Sequence, residues 1–264
     1  MSVPSATRPL RYVEPSAVVG VLAHEWTLFK RFWPSTTFSS VVEPTIYLLA
    51  FGFGFGSLIS VVGGYRYVDF VGTGVVATAV LFTAAFSGMF QTFIRRTYQH
   101  TYDAMLAAPV DSHELVLGEA LWIAARAGAY GCAPLLVSVA FGLRPGPAVA
   151  LVPVIGFVTG LGFALAGIWM SAVVPSIDSF NYVISGIVTP LFLVAGTFFP
   201  IDGLPGWARV AAQVNPLFHC VELVRHAVPG LRPGADLGHL AVLALFAGLM
   251  WVVAVRKMRQ RLVD

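Results

Sequence analysis

Six stretches of this sequence run for about 20 residues or more with few charges. They are residues 38–62, 69–94, 113–142, 148–174, 181–199 and 238–256. A helix needs roughly 20 apolar residues to cross a hydrocarbon core about 30 Å thick, and each stretch meets or nearly meets that length. The 264 residues are 57% hydrophobic and 11% charged, with a mean hydropathy of +0.80, so there is too little polar surface to clothe a soluble domain. The sequence predicts an all-α polytopic membrane protein, one domain over residues 1–264 with six transmembrane helices.

An even number of spans returns both ends to one side. If that side is the cytoplasm, it holds ten basic residues: Arg8, Arg11, Lys30, Arg31, Arg95, Arg96, Arg256, Lys257, Arg259 and Arg261. The outer side holds five, Arg66, Arg144, Arg209, Arg225 and Arg232, and Arg126 falls inside a span. The positive-inside rule therefore predicts cytoplasmic termini. The net charge of +3 lies where topology needs it and argues against a nucleic-acid partner. Arginine outnumbers lysine by 14 to 2, which hints at a GC-rich bacterial genome. Residues 1–14 are polar and lack the apolar core of a signal peptide, so no cleaved leader is expected. Over residues 16–33, Val18, Val21, Leu22, Trp26, Phe29 and Phe32 recur near helical spacing against His24, Glu25, Lys30 and Arg31. That pattern predicts a helix lying in the membrane interface.

Between the second and third spans sits a polar island, residues 95–109, which reads as a place where a soluble partner grips the membrane protein. Tyr98, Tyr102 and Met105 continue from Ile94 at helical spacing, predicting one apolar stripe beside a polar flank with Arg95, Arg96 and Asp103 nearby. Pro109 stops this helix, and Asp111 with Glu114 three residues on is a capping pair for the next.

Small residues mark how the spans pack. Gly52, Gly54 and Gly56 in the first span, and Gly156, Gly160, Gly162 and Gly167 in the fourth, offer smooth faces for bundle or dimer seams. Pro44, Pro134, Pro153 and Pro190 are expected to bend or break their helices. From 200 to 237 the chain is irregular: Pro200, Asp202 and Pro205 supply turn chemistry. Two short amphipathic pieces follow, residues 207–214 and 217–228, divided by Asn215 and Pro216. Neither is long enough to span, so both should dip into or lie on the outer leaflet.

The chemistry that is missing narrows the function. A P-loop needs a lysine followed by serine or threonine, yet Lys30 precedes Arg31 and Lys257 precedes Met258, so this sequence carries no ATPase motif and no nucleotide or Mg site of its own. Metalloprotease and serine-hydrolase motifs are absent too. His219 and His226 are two helical turns apart and are read as no metal site, and Cys132 and Cys220 as small buried thiols.

Four blocks in order resemble the type-2 ABC exporter permeases. They are residues 42–54 from Val42-Glu43-Pro44 to Gly54; Asp103-Ala104-Met105-Leu106 with Pro109 and Leu117-Gly118-Glu119; Ala195-Gly196-Thr197-Phe198-Phe199-Pro200-Ile201-Asp202-Gly203-Leu204-Pro205; and Asn215-Pro216-Leu217 with Glu222, Leu223 and Arg225. The likeness covers nearly the whole chain and is nearest to the lipooligosaccharide and nodulation-factor branch. It implies an interface helix before the first span, a coupling helix at 95–109 and two re-entrant helices at 200–237. It also implies a permease dimer in the bacterial plasma membrane, driven by two copies of a separate ATPase that holds ATP and Mg, exporting a lipid-linked saccharide, lipooligosaccharide or hydrophobic drug. The chain departs from nodulation permeases at Thr101 and in its Gly- and Pro-rich ends, so their substrate is not inherited.

Two other classes compete. A secondary transporter would place ionisable groups near the midplane, where only Arg126 and, less deeply, Glu119 and Glu43 qualify. A membrane enzyme would need a reactive cluster, and none is visible. Arg126 lies about 20 Å along its helix from Ser112, and an unpaired arginine at such depth costs on the order of 3 kcal/mol. It must face protein or water, lining a cavity, pairing across the bundle, or serving as buried polar glue. Glu43 and Glu119 are expected to meet Lys30 or Arg31 and lock a cytoplasmic gate. Tyr47, Phe51 and Phe55 share a helix face that could stack on sugar rings or meet lipid.

Overall fold

The computed structural model describes residues 13–263. The leader with Arg8 and Arg11 lies outside the described residues. The longest element, α1, runs unbroken from Pro15 to Gly54, so the expected interface helix and first span are one helix. Pro15 occupies the first turn, where a missing N–H costs nothing. Pro34 and Pro44 lie within α1 and each withdraws one backbone donor. Hydroxyls bond back to the helix around them, Ser35 to the Phe32 carbonyl at 3.0 Å and Thr45 to that of Val41 at 2.7 Å.

The tail of the expected first span is not helical. Val61–Val62 (β1) pairs with Tyr65–Arg66 (β2) in a small hairpin turned by Gly63 and Gly64, at φ 59° and 84°. Both turn positions need a left-handed backbone that glycine adopts freely. The next helix, α2 (Tyr67–Phe86), continues through a π-helical turn at Ser87–Gln91 into α3 (Thr92–Thr97), and α4 is the short helix Thr101–Leu106. The third expected span divides into α5 (Ser112–Gly131) and α6 (Ala133–Ala140), because Pro134 opens a new helix. A tight turn at Pro147–Leu151 leads into α7 (Val152–Val173). Pro153 sits in the first turn of α7 and starts the helix rather than bending it.

Among the described residues five helical runs are long and apolar enough to cross a membrane: Pro15–Ser57, Tyr67–Thr97, Ser112–Ala140, Pro147–Val173 and Pro233–Leu262. The expected fifth span is shorter, Ile177–Leu193. It is pieced together from a tight turn, α8 (Phe180–Val183), a π-helical turn at Ile184–Val188 and α9 (Thr189–Leu193), where Pro190 restarts the helix. The irregular segment holds α10 (Gly206–Val214) and α11 (Pro216–Ala227), at the lengths the turn residues dictated. The last helix, α12, spans Pro233–Val263, longer at both ends than its apolar stretch.

The bundle is centred on α2 and α7. Buried residues cover α2 almost from end to end. The glycines of α7 set its distance from three neighbours. A Cβ on Gly167 would stand 2.6 Å from the Ala85 carbonyl oxygen, one on Gly88 2.5 Å from that of Ala164, and one on Gly160 2.9 Å from the Ala127 methyl. One on Gly162 would strike Phe246 of α12 at 2.5 Å. The smooth face read from the sequence is therefore a seam within this chain, and it lets backbones approach closely enough for dispersion to hold them. α1 lies outside this core; Trp26, Phe32, Trp33, Phe38 and Ile46 on it are exposed.

Candidate functional site

A buried polar knot ties the island to the bundle. α3 ends at Thr97, and His100 takes a left-handed conformation, φ 51°, before α4 begins. The His100 ring hydrogen-bonds the Asp103 carboxylate at 2.9 Å and steadies this turn. The single stripe expected across the island is thereby broken. Tyr98 stays outside, 61% exposed, while Tyr102 turns inward and is 2% exposed. Tyr102 thus fills a place in its own chain, with Met105 half-buried beside the same apolar cluster, and Asp103 and Pro109 outside.

Inside the knot the Tyr102 hydroxyl donates to the Glu119 carboxylate, and the Thr92 hydroxyl donates to it at 3.0 Å. Arg95 reaches the same carboxylate at 3.2 Å and grips Glu25 of α1 with two prongs, one at 3.0 Å. Glu25 and Glu119 are 3% and 1% exposed, so one guanidinium sits between two buried carboxylates. Burial, then the negative Glu119 beside it, pushes the Tyr102 phenol well above its usual ionisation range. Arg96 leaves the knot, donates to the Ser171 carbonyl of α7 at 2.7 Å, and lies over the Phe93 ring. The capping pair forms as the spacing required: Glu114 accepts the Asp111 N–H at 2.9 Å, and its other oxygen takes the Glu14 N–H at 2.7 Å, pinning the start of α1 to α5.

Glu119 therefore meets Arg95, in place of the Lys30 or Arg31 expected from the sequence. Lys30 and Arg31 lie instead over the rings of Trp26 and Phe32. Glu43 makes no hydrogen bond among the described residues and is exposed on α1. Glu25 and Thr92 were missed by the sequence reading. Glu25 showed only as part of a polar flank, and its partner Arg95 is 70 positions away.

A cleft of about 350 Å³ opens between α1, α2 and α5. Glu43 and Tyr47 stand on one wall, Phe82, Phe86 and Phe90 on another, and Arg126 enters from α5. The Nε of Arg126 is buried without a hydrogen-bond partner. Phe51 and Phe55 share the face of Tyr47 but leave the cleft: Phe51 packs on Phe198 at 4.5 Å, and Phe55 lies 6.5 Å from Tyr67.

At the opposite end of the bundle, Asn215 caps α11 by accepting the Leu217 N–H at 2.9 Å, with Pro216 following, and its amide donates to the Leu191 carbonyl at 2.6 Å. Arg225, 7% exposed, donates to Glu222 at 2.7 Å and to the Gly196 carbonyl at 3.0 Å, 3.9 Å above the Phe70 ring. His226 pairs with Asp236 at 2.6 Å and His219 with His239 at 2.7 Å, contacts between α11 and α12 that periodicity does not reveal. Asp202 and Pro205 are exposed beside Pro200 on the connecting turn. Among the described residues no three His, Cys, Asp or Glu side chains could together hold a metal ion.

A family model described as ABC-2 type transporter matches residues 17–228, from the first turn of α1 to the end of α11. The chain belongs to the ABC-2 type transporter family. Both the polar knot and the cleft of this ABC-2 chain lie within the matched residues. It is 31% identical over 246 residues to nodulation protein J of Rhizobium leguminosarum bv. trifolii, covering 92% of this chain and 93% of that one. Nodulation protein J of Sinorhizobium fredii is 30% identical over 248 residues, with 93% and 94% covered. The inner membrane transport permease YadH of Escherichia coli strain K12 is 25% identical over 240 residues, with 90% and 92% covered. The protein is thus a membrane permease of the ABC-2 family.

Proposed function

We propose that this chain is the membrane-spanning subunit of an ATP-driven exporter, acting as a pair of permeases with two copies of a separate ATPase in the bacterial plasma membrane. Both termini and the α3–α4 turn face the cytoplasm, and an amphipathic molecule crosses by way of the cleft. The observation that carries this reading is the two-sided build of the island: its inner side is locked by Tyr102 of α4 into Glu119, Arg95 and Glu25, and its outer side offers Tyr98 before α4, Asp103 on it, and Ala107 and Pro109 after it to solvent. A surface held so firmly to α1 and α5 suits a contact that must pass force inward. The missing P-loop supports an external ATPase. The relative named an inner membrane transport permease supports the location.

Substitution of outward-facing residues tests the docking role without touching the knot. Tyr98→Ala with Ala107→Arg removes an aromatic anchor and sets a charge on the contact, and such anchors typically cost about 2 kcal/mol or more. The ATPase recovered with the purified permease should fall at least tenfold. Full recovery together with undiminished transport would remove the outer side of the island as the docking site. Purified alone, the permease should hydrolyse no ATP.

A further inference from the structure

We infer that the cleft between α1, α2 and α5 binds a headgroup that joins one anionic group to several hydroxyls, carried by the exported amphiphile. This rests on the cleft being the passage site proposed above. Its lining is the reason. Thr36, Ser40, Thr83, Ser87 and Gln91 face it, and none of these side chains makes a hydrogen bond among the described residues. Pro44, also on the wall, withdraws the N–H that would otherwise close onto the Ser40 carbonyl, leaving a further acceptor there.

Thr36, Ser40, Thr83 and Gln91 are half-buried and Ser87 is buried, so these hydroxyls and the amide stay open to whatever fills the cleft and can turn their donors and acceptors to a polar guest. Arg126 sets its charge. Its buried Nε has no hydrogen-bond partner, and Glu25 cannot supply one because both its oxygens are held by Arg95. A guanidinium presents donors in a planar fork that fits a phosphate, sulfate or carboxylate. Glu43, exposed at the same cleft, can accept from ligand hydroxyls. At about 350 Å³ the space suits one headgroup of a sugar's size and not a folded chain.

The test uses the permease with its ATPase in phosphatidylcholine nanodiscs, titrated with dodecyl glucoside and with dodecyl glucoside 6-phosphate. The phosphorylated probe should bind at least tenfold more tightly, about 1.4 kcal/mol, and inorganic phosphate at equal concentration should not displace it. Arg126→Gln should shrink the preference below twofold, and Arg126→Lys, which keeps the charge, should retain it. Equal binding of the two probes to the wild-type complex, or a preference that survives Arg126→Gln, overturns the inference. So does loss of the preference in phosphatidylglycerol nanodiscs, which would give the charge site to bilayer lipid. Thr83→Trp, which fills the cleft, separates this from the underlying reading. Loss of both probes keeps the cleft as the passage site even where charge preference fails, whereas unchanged binding of both removes the cleft itself.

Discussion

Tyr98 and Tyr102 stand four positions apart, yet one ring is outside and the other buried. Helical spacing alone puts them on one face; the left-handed turn at His100 undoes that periodicity, and no count of apolar residues could show it. Burial of Tyr102 has a measurable cost when its hydroxyl goes. Tyr102→Phe leaves a Glu119 oxygen short of a donor, a loss of about 1–3 kcal/mol. Arg95→Leu leaves two buried carboxylates unpaired and should cost more, about 3–5 kcal/mol. Thermal unfolding in detergent should order the midpoints wild type, then Tyr102→Phe, then Arg95→Leu, and coincident midpoints would mean the knot holds nothing. The phenol also gives a pH signature. Its folded ionisation is raised, so its contribution is intact below the unfolded value of about pH 10 and is lost as pH climbs toward the folded one. Tyr102→Phe should flatten the decline in stability above that pH.

At the scale of elements, the α7 glycines were legible because small residues four apart have one physical use in a bilayer, close approach of helices. The capping pair before α5 was legible for a similar reason, since its chemistry is local. The cleft was legible only in single residues, Glu43, Tyr47 and Arg126, because its walls come from three helices that no local pattern brings together. The fifth stretch was legible as an apolar run but not in its build, because Pro190 and a π-helical turn divide Ile177–Leu193 into short pieces that apolar length alone does not reveal. The seams make a direct prediction. Gly88→Ala and Gly167→Ala each force a Cβ into a carbonyl where α7 crosses the end of α2 and the π-helical turn after it, and overpacking of this kind costs about 1–3 kcal/mol. Both should lower the unfolding midpoint, whereas Gly248→Ala, which meets open space, should leave it unchanged.

For the whole molecule, the distribution of arginines and lysines predicts which side each loop faces. A tag at either terminus should be reachable only from the cytoplasm and one beside Gly206 only from outside. Labelling of a C-terminal tag in intact cells would invert the map. Topology also gives α1 a mechanical meaning. Its 40 residues make a rod about 60 Å long, twice the thickness of the hydrocarbon it meets. Glu25, clamped by Arg95, and Tyr47, on the cleft wall, are about 33 Å apart along it. Swung about Glu25 by only about 5°, such a crank carries the Tyr47 end sideways by about 3 Å. A slight rocking of α4 would be geared up along α1 into a change in the width of the cleft's mouth.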